Sequence, residues 1–194
     1  MSTGTVDAVV FFRADEADDE FFRSLEKQDK KRLRDLGVDM ERYGNPGVYM
    51  PLVERSSDYI YGGMLAIPGG HIDEGEEPEA AALRELEEET SFTAVKVLKT
   101  YENTDMTFDP RYDPDEKLPD DEPEELYLKP EIESRGDRFA YFTSIMKVSK
   151  AENFEVEGSD DAERAFWVPV RGLPRMAFLH HRIIDDALQN HSPY

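Results

Sequence analysis

Apolar residues run unbroken through AVVFF at positions 8–12, and the β-branched and aromatic density of residues 5–14 predicts a buried strand. Residues 17–36 change to a helical spacing that starts acidic and ends basic, which complements the helix dipole and predicts one helix stopped by Gly37. GVYMPLVERS (47–56) predicts a second strand, with Pro51 placing it at an edge or a bulge. YIYGGMLAIPGG (59–70) reads as a strand-like run ending in a turn, and PEAAALRELEEET (78–90) as a helix with Pro78 near its first position. Residues 92–102, 137–149 and 163–170 predict further strands, and 178–190 a closing helix. Residues 104–136 carry five prolines and many acids, a long loop of the kind that is either functional or disordered. Strands and helices in mixed order predict one α/β domain over 1–194, with an inserted helix near 17–36 and the acidic, Pro-rich loop near 104–136.

Charge narrows the choice of function. Lys plus Arg number 23 against 44 Asp plus Glu, a formal net charge of −21. Such a field repels nucleic-acid backbones and anionic membranes, and repels a free anionic substrate unless a cation intervenes. The absence of Cys excludes disulfides, thiolate metal sites and cysteine catalysis. The N-terminus has no basic region and only a short apolar run, so the sequence reads as a cytoplasmic protein without a membrane span.

LRELEEET (83–90) raises a question against that background, because like charges three and four apart destabilise a helix by a few tenths of a kcal/mol per pair. At about 100° per residue, Glu85, Glu88 and Glu89 share an arc of about 100°. Ala81 and Ala82 fall on the same side one turn earlier, while Leu83, Leu86 and Thr90 form a core-facing edge. Carboxylates above small residues that leave room suit a hard divalent cation. An acidic solvated face is the plainer alternative. Glu87 lies off the arc and reads as solvated.

Gly70, Glu76 and the run Arg84-Glu85-Leu86-Glu87-Glu88-Glu89-Thr90-Ser91-Phe92 settle the comparison, because together they resemble the Nudix box, G-x5-E-x7-R-E-U-x-E-E-x-G-U, with U apolar. Every position fits except Ser91, which stands where the pattern has Gly. GGMLAIPGG resembles the strand and turn leading into the box, with Met64 where Trp is frequent. GSDDAERAFWVPV and FLHHRIIDDAL resemble the last strand and closing helix of the subgroup acting on ADP-ribose and related compounds.

The resemblance implies an α/β/α sandwich around a mixed sheet and attack of water on a diphosphate linked to another moiety. It implies Mg²⁺, or Mn²⁺ as substitute, held by Glu85, Glu88, Glu89 and the Gly69 carbonyl. Arg84 is expected to orient the acids, and Glu76 to pair with it or complete the site. Arg55 falls where the family often has a phosphate-contacting base, and Arg111, in DPR at 109–111, resembles a substrate-facing element. The general base is left open among the box acids, Glu157, Asp160, Asp161 and the acidic stretch 115–133. Tyr59 and Tyr61 read as packing residues or a stacking platform for adenine. His180 and His181, adjacent on a helix, point apart and make no metal pair.

Hydrolysis of ADP-ribose to AMP and ribose 5-phosphate is therefore the leading expectation. Pyrophosphohydrolysis of a nucleoside triphosphate or dinucleoside polyphosphate is the alternative within the enzyme class. A non-catalytic nucleotide-sensing domain is a third reading, disfavoured because every box carboxylate is present and 27 residues after Trp167 leave no room for a winged helix. The expected partner is a small nucleotide, with a homodimer possible in the resembled subgroup.

Overall fold

The structure is a computed structural model that describes residues 4–58, 61–102, 140–149, 151–159, 162–191 and 194. Its elements are β1 (Gly4–Ala14), α1 (Asp19–Lys27), α2 (Lys30–Asp35), β2 (Gly47–Arg55), β3 (Leu65–Ala66), β4 (Gly69–His71), α3 (Pro78–Thr90), β5 (Val95–Glu102), β6 (Ala140–Val148), β7 (Ala162–Pro169) and α4 (His180–Asn190). The strands form a mixed sheet whose main path is β3-β2-β1-β6-β5, with β4 on β1 and β7 on β2. Only β1 and β6 run parallel among these pairings. β1 has three partners: Gly4–Phe11 pairs with β6 along one edge, while on the other Thr5–Asp7 meets β4 and Phe12–Ala14 meets β2.

Alternation along β1 divides the core. Val6, Ala8 and Val10 pack with Ala81, Ala82 and Leu86 of α3 on one face. Val9 and Phe11 join Phe21 and Leu25 of α1 and Ile183, Ile184 and Ala187 of α4 on the other. The expected α/β/α arrangement is thereby present. Phe12, Phe21, Phe154 and Trp167 form a tilted and edge-on ring cluster, and Trp167 Nε1 donates to the Phe154 carbonyl at 2.7 Å.

Several expectations need correction. The helix expected over 17–36 is two helices. Gln28 is extended, and Asp29 accepts from the Arg32 N–H at 2.9 Å, so the acid caps a fresh start rather than continuing the first helix. Gly37 ends the second with φ 84°, as expected. Arg32 then ties α2 to the buried Glu54 of β2, with Nε at 2.9 Å. Pro51 lies between the β1 pairing, which ends at Tyr49, and the β3 pairing, which begins at Val53. Its missing N–H therefore costs the sheet little. The strand-like run at 59–70 is chiefly turn from Tyr61 to Gly63, followed by two short strands. Tyr61 has φ 59°, a left-handed conformation that interrupts any strand. Residues Tyr59, Arg111, Asp160 and Asp161 and the loop 104–136 lie outside the described residues.

Candidate active site

α3 turns two of its acids, Glu85 and Glu89, in toward the sheet, while Glu79, Glu87 and Glu88 stay exposed. Ala81, Ala82, Glu85, Leu86, Glu89 and Thr90 are the buried residues of the helix, whereas Leu83, expected at the core edge, is exposed. The alanines leave no vacant strip. β1 fills it, and their small side chains let the helix settle close against Val6, Ala8 and Val10.

Room for the acids comes instead from glycines. A Cβ on Gly70 would stand 2.5 Å from Glu85 Oε1, so only glycine admits that carboxylate. A Cβ on Gly69 would collide with the Val6 carbonyl and Asp7. Gly69 donates its N–H to Glu89 Oε2 at 2.9 Å. Ala8 N–H reaches the Pro68 carbonyl and Ile72 N–H the Gly4 carbonyl, so by strand alternation the Gly69 peptide groups face away from β1. The Gly69 carbonyl thus shares the edge on which Glu89 lies.

Arg84 organises the remainder. Its Nε and Nη2 grip Glu76 at 3.0 and 2.9 Å, Nη1 donates to Glu85 at 2.8 Å and Glu88 at 2.9 Å, and Nη2 also donates to the His71 carbonyl at 2.8 Å. The fork-on-fork pairing holds the Glu76 carboxyl below its usual range, Arg84 being the first cause. Hydrogen bonding to Glu76, ahead of Glu85 and Glu88, likewise raises the Arg84 pKa. Glu76 is therefore Arg84's partner, one of the two roles expected for it.

The box acids do not converge on one point. Glu89 turns to Gly69, while Glu85 and Glu88 turn to Arg84. Among the described residues no three acidic or histidine side chains are grouped to hold an ion. The donor set nevertheless fits a hard cation, being carboxylate and peptide oxygen throughout and already shaped by Gly69 and Gly70. A cation bound there would share Glu85 and Glu88 with Arg84.

The C-terminal end of α3 is clipped by the 153–159 segment: Glu157 N–H donates to the Thr90 carbonyl at 3.0 Å, and the Ser159 hydroxyl donates to the Glu88 carbonyl. Glu157 thereby sits beside the acidic helix, exposed to solvent. Ser91 caps α3 at φ 56° and ψ 16°, with its N–H on the Glu87 carbonyl at 2.8 Å. It adopts the left-handed turn that the box assigns to Gly.

Arg55 follows a register shift between Glu54 and Arg55, a bulge that re-aims the strand end. Its guanidinium lies 4.7 Å from the Phe178 ring centroid, and Tyr61 packs edge-on against the same ring at 4.9 Å. Tyr61 is thus engaged with Phe178 rather than aligned along a strand.

Sequence reasoning did not single out Asp7 or Tyr141, and of His180 it read only that it makes no metal pair with His181. Asp7 is buried beneath Gly69 and accepts from the Tyr141 hydroxyl, and burial raises its pKa to about 7. His180 is buried, and burial lowers its pKa to about 3. Its Nδ1 accepts from the Ile67 N–H at 2.8 Å, and its Nε2 is 3.5 Å from Asp7 Oδ2. An acid alternating within an apolar strand was the available signal for Asp7. Nothing in HHRII marked which histidine faces inward.

Comparison with known proteins agrees with this geometry. The NUDIX domain family model matches residues 45–187. An ADP-ribose pyrophosphatase of Methanocaldococcus jannaschii is 27% identical over 139 residues, covering 71% of this chain and 64% of that protein. One from Bacillus subtilis is 58% identical over 36 residues, 19% of this chain and 20% of that protein. The chain therefore matches less than two thirds of the length of either relative. Among solved structures, the NUDIX domain of Shewanella oneidensis NrtR, complexed with ADP ribose, superposes with a TM-score of 0.54 at 19% identity, covering 99% of this chain and 90% of that one. The M. smegmatis Nudix hydrolase RenU gives 0.57 at 13% identity, covering 100% and 90%. At such identities the structural likeness bears on the fold alone. The family match spans most of the chain and takes in the glycine turn, Arg84 and the buried acids, and on that ground the chain belongs to the Nudix family.

Proposed function

We propose that the protein hydrolyses a nucleoside diphosphate linked to another moiety, with ADP-ribose, giving AMP and ribose 5-phosphate, the favoured substrate. The observation that carries this reading is the buried pair Glu85 and Glu89: Glu85 lies against Gly70 and accepts from Arg84, and Glu89 accepts from the Gly69 N–H. Burying two carboxylates side by side is costly unless positive charge meets them. The pyrophosphatase relatives support the choice of substrate.

Glu85, Glu88, Glu89 and the Gly69 carbonyl are the groups that would hold Mg²⁺ or Mn²⁺. A divalent cation supplies neutralisation of the diphosphate and a more acidic attacking water when bound. Arg84 orients Glu76, Glu85 and Glu88 through its hydrogen bonds. A carboxylate accepts the water's proton. Glu88, half-exposed at the rim, and Glu157, on the segment clipped to α3, are the described candidates. Arg55, whose guanidinium lies 4.7 Å from the Phe178 ring centroid, is the proposed contact for substrate phosphate. Arg111 is retained as a further substrate contact. One domain over 1–194, a cytoplasmic setting and possible homodimers complete the proposal. Among the described residues no helix is long and apolar enough to cross a membrane.

A panel of ADP-ribose, NADH, a dinucleoside polyphosphate and the nucleoside triphosphates tests it. AMP release from ADP-ribose, abolished by EDTA and restored by Mg²⁺ or Mn²⁺, is the expected result. No AMP from ADP-ribose together with robust triphosphate hydrolysis would move the assignment to the triphosphate class. Binding of ADP-ribose without turnover of anything in the panel would mark a nucleotide sensor.

A further inference from the structure

We propose that His180 is a positioning residue that holds the glycine turn beneath the acids of α3, a role resting on the hydrolase reading of that site. The chain from Met176 to His180 runs along the stretch that leads into the turn. Met176 bridges to Leu65, and two residues beyond Leu65 the buried Ile67 N–H ends on His180 Nδ1 at 2.8 Å. Two residues further, the Gly69 N–H ends on Glu89 and Gly70 leaves space for the Glu85 carboxylate. A displacement at Ile67 is thus delivered within three residues to both buried acids.

The hydrogen bond fixes the imidazole as well as the turn. Nδ1 accepts, so the neutral ring carries its proton on Nε2, which faces Asp7 Oδ2 at 3.5 Å. Asp7 is itself anchored by the Tyr141 hydroxyl and packs under Gly69. His180 therefore touches the turn directly through Ile67 and indirectly through Asp7. The approach to His180 is pinned by contacts: Phe178, at φ 52°, is left-handed, and its ring meets both the Arg55 guanidinium and Tyr61. Loss of the imidazole acceptor would leave the Ile67 N–H buried and unpaired, and the turn would relax to satisfy it.

Three variants separate this role from a general packing role. His180→Asn keeps an acceptor where Nδ1 lies, His180→Gln carries its amide one bond too far, and His180→Leu has no acceptor. Amide hydrogen exchange at Gly69 in metal-free protein and Mn²⁺ binding to the same variants are the readouts. Protection of Gly69 should survive in the Asn variant and fall in the Gln and Leu variants, with Mn²⁺ affinity in these two weakened about tenfold. Equal loss in all three variants, or unchanged Gly69 protection in Gln and Leu, would overturn the proposal. Should Leu fail to fold, the Asn and Gln pair decides. Wild-type protein that neither binds Mn²⁺ nor hydrolyses ADP-ribose would sink the hydrolase reading, while Gly69 exchange would still report whether His180 holds the turn.

Discussion

The Glu85 carboxylate occupies the space that a side chain at Gly70 would need: all three atoms of that carboxylate would lie 2.5–2.7 Å from a Cβ there. A box glycine and a box glutamate fifteen positions apart are therefore one steric unit. Gly70→Ala should push the Glu85 carboxylate off its place at a cost below about 1 kcal/mol, under the usual overpacking range, because the clash is with the far end of a flexible side chain and not with backbone. Turnover of ADP-ribose should fall about 10–100-fold, since the displaced group is a candidate metal ligand. Paired thermal melts and kinetics check this; wild-type activity in Gly70→Ala would show that Glu85 need not stand there.

Arg84 gathers Glu76, Glu85 and Glu88, and its removal should be felt most in acid-sensitive stability. The Glu76 carboxyl is held below its ordinary value by Arg84, so its contribution is present above about 4.5, the ordinary carboxylate value, and is lost as pH falls through the lowered folded value. Arg84→Met should abolish that part of the acid slope. It should also cost about 1–2 kcal/mol near neutral pH, between an exposed and a buried pair, because Arg84 is 28% exposed. Urea unfolding from pH 3 to 7 measures both. Superimposable pH profiles for the variant and wild type would show that the cluster does no electrostatic work.

The net charge of −21 far exceeds what one metal site consumes. Arg outnumbers Lys 14 to 9, and acids are spread along the whole chain. We take the surface to be adapted to high salt, where the Debye length shrinks from about 10 Å at 0.1 M to about 3 Å at 1 M and self-repulsion is screened. The melting temperature should rise steadily with KCl toward molar concentrations. A flat profile would remove the hypothesis.

Local chemistry made part of this molecule legible beforehand. Pro78 and the 3.6-residue pattern located α3 at residues 78–90, and Gly37 marked the end of a helix because its left-handed turn is a local requirement. The break at Gln28 was hidden by helix-forming neighbours on both sides, although Asp29 was a cap in waiting. What could not be read was proximity between distant segments. The alanines of α3 looked like the floor of an open strip, yet β1 fills it, and the space for Glu85 is made by Gly70 on another strand. His180 and Ile67 meet across 113 positions, a pairing no spacing rule reaches.

Ser91 is the one departure from the box, and it sits in the conformation the missing glycine would take, at φ 56°. Holding a non-glycine residue there costs about 1 kcal/mol. The Ser91 N–H on Glu87, the Glu157 N–H on Thr90 and the buried Leu86 and Phe92 hold the helix end against it. Ser91→Gly removes the strain but loosens the unfolded chain, so the two effects nearly offset and stability should shift by less than about 1 kcal/mol. Ser91→Val is the sharper probe, because a β-branched side chain is far worse in that region and nothing offsets it. It should destabilise by about 1–3 kcal/mol, the range for a strained backbone conformation, and disturb Glu89 two residues earlier. Activity of Ser91→Gly should remain within a few-fold of wild type while Ser91→Val loses more. If Ser91→Gly instead switched on hydrolysis in an otherwise silent protein, the serine would be what disables the box, and the nucleotide-sensing reading would replace the enzymatic one.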